Sequence, residues 1–141
     1  MSLVPPFTRE TAQAKVKKAQ DLWNSKDPAT VAKAYTPDCI WRNRDQFFTG
    51  TEAIINFLTQ KWQREDHYRL RKELFAFQDD KIAVQFWYEY RDESAGVWKR
   101  CYGLEDWTFA ADGRMRKRQM NERWFKEGVD VNSVNISEKH W

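Results

Sequence analysis

Near the end of the chain, two runs of alternating residues meet at Asp112-Gly113, and this pair of runs constrains the fold more than any other segment. Asp-Gly between two such runs is the signature of a tight β-hairpin, because glycine accepts the positive φ that the turn requires. Alternation then puts Glu105, Trp107 and Phe109 on one face of the first strand. Pairing across the hairpin brings Arg118 of the second strand to the same face. A sheet with one buried face thus carries a carboxylate and a guanidinium among large aromatics. Two readings stand: a buried ion pair, or the polar floor of a pocket that orients a ligand. Burial acts to raise the Glu105 pKa and the arginine acts to lower it.

The bulk properties limit the class of protein. A length of 141 residues fits a single domain spanning 1–141, large enough for a substantial core. Aromatic residues make up 16% of the chain, enough both to fill a core and to line a pocket. The 24 basic and 21 acidic residues nearly cancel, for a net charge of +3. That balance argues against a nucleic-acid partner, which calls for a concentrated basic excess. The local run Arg114, Arg116, Lys117, Arg118 splits over two faces of a strand and reads as a solvated edge or an ion-pair ladder. Cys39 and Cys101 are too few for a disulfide framework and read as buried free thiols. With no signal peptide and no apolar run long enough to span a bilayer, the expectation is a cytoplasmic protein without a membrane partner.

Helices come first. Thr8 caps a helix whose Ala12, Val16, Ala19 and Trp23 share one face. Asp27 caps a short second helix with Pro28 as its first residue, and Val31, Ala34 and Tyr35 turn inward. Pro37 breaks that helix. Residues 38–44 then alternate as a strand, with Cys39, Trp41 and Asn43 on one face and Ile40, Arg42 and Arg44 on the other. A loop runs through Phe48. Thr49 and Glu52 fit a capping box for a third helix with the stripe Ile54, Phe57, Leu58 and Trp62. Four strands follow at about 67–78, 81–92, 97–110 and 114–125, punctuated by Asp79-Asp80, Ser94-Ala95-Gly96 and Asp112-Gly113. In the second of them, Ile82, Val84, Phe86, Tyr88 and Tyr90 form an apolar interior face, and Glu89 faces outward toward a basic neighbour. Residues 129–141 read as a polar surface tail. The outcome is an α+β domain: helices packed on one face of a bent antiparallel sheet.

Some chemistries leave no trace. His67 and His140 lie far apart, with no second ligand at metal-binding spacing, and no glycine-rich phosphate loop or dinucleotide fingerprint occurs. Neither histidine is placed to serve a nucleophilic triad. The expectation is a protein without metal or cofactor.

The ordered elements, with Gly50-Thr51-x-Ala53-Ile54 opening the third helix and Phe109-x-x-Asp112-Gly113-Arg114 at the hairpin, resemble the nuclear-transport-factor-2-like fold. That group includes SnoaL-like polyketide cyclases and ketosteroid isomerases. Trp41-Arg42-Asn43-Arg44, Lys61-Trp62, Tyr68-Arg69-Leu70, Lys72-Glu73-Leu74, Ile82-Ala83-Val84 and Tyr102-Gly103-x-Glu105 resemble, more narrowly, a bacterial and fungal family of unknown function within it. The resemblance implies a cone-shaped α+β domain, three helices on a strongly bent antiparallel sheet, with a pocket in the concavity. It places Glu105 where ketosteroid isomerases have their oxyanion-stabilising acid. Asn43 falls at the position of the catalytic base and Ala19 near that of the catalytic tyrosine. Asn43 has no basic group, so the steroid-isomerase mechanism does not carry over. The same alignment turns Trp107, Arg118 and Met120 to the concave face. It also implies a homodimer joined through convex sheet faces.

The functional expectation is a cofactor-free acid–base lyase, isomerase or hydrolase acting on a small, partly apolar compound. Glu105 is its candidate catalytic residue. Trp41, Asn43, Phe86, Tyr88, Trp107, Arg118 and Met120 are candidate ligand contacts, with Trp41 and Trp107 equally readable as plain core. The alternative is a non-catalytic ligand-binding or dimerisation module.

Overall fold

The computed structural model describes residues 2–126, with side chains through Glu122. The surface tail expected at 129–141 lies outside the described residues. The elements are α1 (Arg9–Asn24), α2 (Pro28–Ala32), β1 (Tyr35–Asn43), β2 (Gln46–Thr49), α3 (Thr51–Arg64), β3 (Asp66–Gln78), β4 (Lys81–Asp92), β5 (Val97–Phe109) and β6 (Met115–Lys126). The strands form one curved six-stranded sheet in the order β2-β1-β6-β5-β4-β3, with the helices on one side.

The local signals explain most boundaries. Thr8 caps α1 and closes a box with Thr11, and Asp27 caps α2 with Pro28 in its first turn. Gly96 (φ 67°) and Gly113 (φ 90°) take the left-handed conformation at their turns, and Asp79 (φ 45°) does so without being glycine. β4 and β5 pair antiparallel in unbroken register from Lys81↔Thr108 to Asp92↔Val97. Ala12, Val16 and Trp23 of α1 are buried, as are Ile82, Val84, Phe86, Tyr88 and Tyr90 of β4. These two faces meet across the core.

Four expectations need correction. The sheet is mixed rather than wholly antiparallel, because β1 runs parallel to β6. Alternation gives a strand's faces and says nothing of its direction; α3 returns the chain to the far edge, and the meander then delivers β6 beside β1. β1 also begins at Tyr35, with a register shift between Tyr35 and Ile40. Pro37 lies inside that shift, where its missing N–H breaks no ladder bond. The loop before α3 contains β2, joined to β1 by a two-residue turn with Arg44 at φ 61°. No glycine marked that turn. Finally, α3 has no side-chain cap: Thr49 pairs with Ile40 in the sheet, and Gly50 (φ 98°) is the N-cap. Its N–H donates instead to the Cys39 carbonyl at 3.0 Å.

α1 seals one edge of the sheet. The Asn24 side chain donates to the Leu70 carbonyl and accepts from the Leu70 N–H, both at 2.9 Å. The Gln20 side-chain oxygen accepts from the Lys72 N–H at 2.8 Å. These bonds occupy backbone groups of the edge strand β3 that would otherwise invite another chain. They also fix where β3 presents Leu70 and Lys72 to the interior.

Gly103 of β5 faces Phe86 across the ladder. A Cβ built there would run into the Phe86 ring and the Asn121 carbonyl, so the ring lies where a side chain would otherwise stand. Gly103→Ala is expected to lose about 1–3 kcal/mol of stability through overpacking, read from urea unfolding. A Gly96→Ala control meets no atom within 4 Å but carries the strain of its positive φ, so only Gly103→Ala should perturb the near-ultraviolet dichroism of the folded aromatic core.

Candidate functional site

Glu105, Asn43, Phe86, Tyr88, Arg118 and Met120 line a single cavity of about 90 Å³ in the concavity of the sheet. A volume of that size holds about three waters, at roughly 30 Å³ each. Trp41 and Trp107 do not reach it: they are buried behind it, with 0% and 1% exposure. Trp41 packs against Trp23, Tyr35, Phe48 and Phe57, which makes it core.

The floor is a charge array that crosses four strands. The Arg118 Nε donates to Glu105 Oε1 at 2.6 Å, and its NH1 donates to Asn43 Oδ1 at 2.8 Å. The expected proximity of Glu105 and Arg118 is therefore an ion pair. Its third member is Lys72, whose ammonium pairs with Glu105 Oε2. Both carboxylate oxygens are engaged, and the Glu105 side chain is 1% exposed. Burial works to raise its pKa, but Arg118 and Lys72 overcome that and hold it at about 2. Glu105 is a fixed anion. Burial, the leading influence on Lys72, pushes that amine down to about 8 against the pull of Glu105.

Aromatic faces complete the desolvated shell. The Lys72 Nζ stands 5.2–5.4 Å from the Trp23, Phe86 and Trp107 ring centroids. The Arg118 guanidinium carbon lies 4.5 Å from that of Trp41. Such contacts offset part of the cost of burying cations, by up to about 2 kcal/mol each when dry.

A second pair sits on the same cavity. Lys61 Nζ donates to Glu65 Oε1 at 2.8 Å, and both side chains are at most 7% exposed. Lys61 also lies 4.2 Å from the Tyr88 ring centroid. Burial raises the Glu65 pKa, and Lys61 offsets this only in part. Glu65 Oε2 accepts no hydrogen bond among the described residues. Glu122 also borders the cavity and accepts from Cys101 Sγ at 3.0 Å. Arg44 and Arg64 border it as well.

Lys72, Lys61 and Glu65 are the site residues the sequence reading missed. Each carried a signal. Lys72 shares the strand parity of Tyr68 and Leu70, and Glu65 and Lys61 continue the Ile54, Leu58 stripe at helical spacing. Arg44 is the converse: expected on the outer face with Arg42, it reaches the cavity rim because the turn reverses its backbone. Glu89, expected to face outward toward a basic neighbour, has that neighbour in Arg100 of β5, which donates to it at 3.1 Å, but it is buried at 8%. Cys39 and Cys101 are buried free thiols, and burial raises both pKa values, that of Cys39 to about 12. His67 is not isolated: its ligand atom lies within 4.8 Å of carboxylate oxygens of Asp66 and Glu93, all three exposed. No helix among the described residues is long and apolar enough to cross a membrane.

The fold and the cavity define the class: this is a protein of the nuclear-transport-factor-2-like, SnoaL-like fold. Its structure resembles that of SalBIII, an epoxide hydrolase/cyclase-like enzyme described in pyran ring formation in the polyether salinomycin. The TM-score is 0.71 at 12% identity, covering 81% of this chain and 92% of that one. It resembles a protein with a ketosteroid-isomerase-like fold from Catenulispora acidiphila, solved with trimethylamine, at TM-score 0.68 and 11% identity over 76% and 83% of the two chains. A nuclear-transport-factor-2-like protein of unknown function from an Exiguobacterium species gives 0.67 and 12% over 77% and 98%. No curated protein shows significant sequence similarity. The chain belongs to the family described as protein of unknown function (DUF1348), which matches residues 5–134.

The array makes a stability prediction. Glu105→Gln leaves two buried cations without their anion and should cost about 3–5 kcal/mol. Lys72→Met keeps the Glu105–Arg118 pair and should cost less. The sign of the pH dependence follows from the two depressed pKa values. Stability from Glu105 is full above the ordinary carboxylate range and falls as pH drops toward 2. The penalty of burying charged Lys72 is full below about 8 and disappears as pH rises toward its ordinary value. Wild type should therefore gain stability above pH 8, and Lys72→Met should lack that gain, in urea titrations across pH. A larger loss in Lys72→Met than in Glu105→Gln would contradict this account of the array.

Proposed function

We propose that the protein is a cofactor-free acid–base enzyme, a lyase, isomerase or hydrolase, acting on a small and partly apolar compound. In this reading Glu65 transfers the proton. The Lys72–Glu105–Arg118 array supplies fixed positive charge for a substrate oxygen that becomes negative, and Asn43 and Tyr88 border the same space. The observation that carries the proposal is the contrast between two carboxylates on one cavity. Glu105 has both oxygens engaged and its pKa depressed; Glu65, among the described residues, keeps one oxygen unengaged and its pKa is raised by burial. Environments that drive two acidic groups apart in this way separate a proton-transferring group from a fixed charge. The acid–base role foreseen for Glu105 therefore passes to Glu65.

The test begins with thermal-shift screening of small oxo- and hydroxy-acids and epoxy alcohols, the last because one structural neighbour is epoxide hydrolase/cyclase-like. Stabilising compounds are then followed for conversion by NMR. Glu65→Gln should lower turnover on the order of 10²–10⁴-fold. If Glu65 works as a base beside charged Lys72, kcat/KM rises through the Glu65 pKa and falls near pH 8; Lys72→Arg should move the falling limb upward. Undiminished turnover in Glu65→Gln would refute the assignment. Tight binding without conversion of any compound would favour a binding protein.

A second reading concerns assembly. Ile40, Phe47, Phe75 and Leu104 are 45–65% exposed and lie on β1, β2, β3 and β5. Apolar side chains displayed on an open sheet suit a two-fold contact, and we propose that the protein forms a homodimer there. Light scattering at micromolar concentration should give twice the chain mass, and Leu104→Glu should shift it to the monomer.

A further inference from the structure

A second cavity, of about 420 Å³, opens between α1, residues 2–4 and the β5–β6 turn. Its volume falls within the ~300–1,000 Å³ typical of small-molecule sites, unlike the charged cavity. Trp23 borders both, but the chemistry differs. Trp107, Phe109, Tyr35 and Met115, all buried, give the second cavity an apolar floor.

Its rim is cationic. Lys15, Lys18, Lys33 and Arg114 border it, against the single carboxylate of Asp112. That carboxylate is occupied by Arg114 Nε at 2.8 Å. Lys15 donates to the Gly113 carbonyl at 2.7 Å and lies 5.2 Å from the Phe109 ring centroid. Lys18 and Lys33 have no carboxylate at ion-pair distance among the described residues. Lys15 and Lys18 stand one turn apart on α1, where like charges repel; burial first, and then Lys18, lower the Lys15 pKa. An aromatic floor under an unbalanced cationic rim fits a ligand that is apolar at one end and anionic at the other.

We propose that this cavity binds an amphipathic anion, a carboxylate or sulfonate on an aromatic or branched apolar body. The body rests on the Trp107–Phe109 floor and the anion meets Lys18 and Lys33. The site shares only Trp23 with the charged cavity and does not depend on the acid–base reading.

Anilinonaphthalene sulfonate is a direct probe, being an aromatic body with one fixed negative charge. The wild-type protein should bind it saturably, one dye per chain, read by dye emission. The surface double variant Lys18→Glu/Lys33→Glu should bind it about tenfold more weakly, the scale expected for two partly exposed charge contacts. The neutral analogue phenylnaphthylamine should bind at least about tenfold more weakly than the sulfonate. Arg64→Glu, at the rim of the charged cavity, should leave the affinity within about twofold. Ala19→Trp, on the second cavity's wall, should abolish binding by occupancy. Absence of saturable binding overturns the proposal. So does an affinity that the lysine reversals leave unchanged, or that Arg64→Glu lowers as much as they do.

Discussion

The interior of this protein is organised around one carboxylate. Glu105 on β5 holds Arg118 on β6 and Lys72 on β3, and Arg118 holds Asn43 on β1. Four strands of the sheet are thereby tied by contacts that tolerate little rearrangement, since any vacancy leaves a buried charge uncompensated. The geometry around it follows. Gly103 leaves room for the Phe86 ring, Phe86 and Trp107 flank the Lys72 ammonium, and α1 fixes the β3 backbone at Leu70 and Lys72 through Asn24 and Gln20.

Trp23 stands between two different environments. On one side of Trp23 lies a small space bordered by three acidic and five basic residues. On the other lies a larger space with an aromatic floor and lysines at its rim. Within the charge array Glu105, with both oxygens engaged and its pKa depressed, is a fixed anion, and Lys72 is the member that burial draws down, to about 8. Lys61 of α3 and Glu65 at its C-cap form a separate pair on the cavity and, among the described residues, leave a carboxylate oxygen unengaged. The contrast between the two carboxylates, one with a depressed pKa and one with a raised pKa, rests on which strand or helix supplies each group and its neighbours.

Strand faces and helix stripes were legible because they depend on residues two, three or four apart. The inward faces of β1, β4 and β5 were readable in this way, as were the α1 and α2 caps and the turns at Asp79, Gly96 and Gly113. Glu105 and Arg118 could be paired in advance because a hairpin fixes their register. Lys72 could not be joined to them, since its approach to Glu105 crosses β4 and depends on sheet curvature and on the absence of a side chain at Gly103. The parallel seam between β1 and β6 was illegible for a similar reason: direction is a property of chain path.

What the sequence determined by itself was the fold class, the faces of its elements and the presence of a carboxylate among aromatics, all consequences of local periodicity. The tertiary structure alone decided how that carboxylate is used. Lys72, from a strand distant in the sequence, joins the hairpin partner Arg118 on Glu105, and together they take both its oxygens. Long-range Coulomb attraction in a desolvated space, balanced against burial, is what turned a candidate proton donor into a fixed anion.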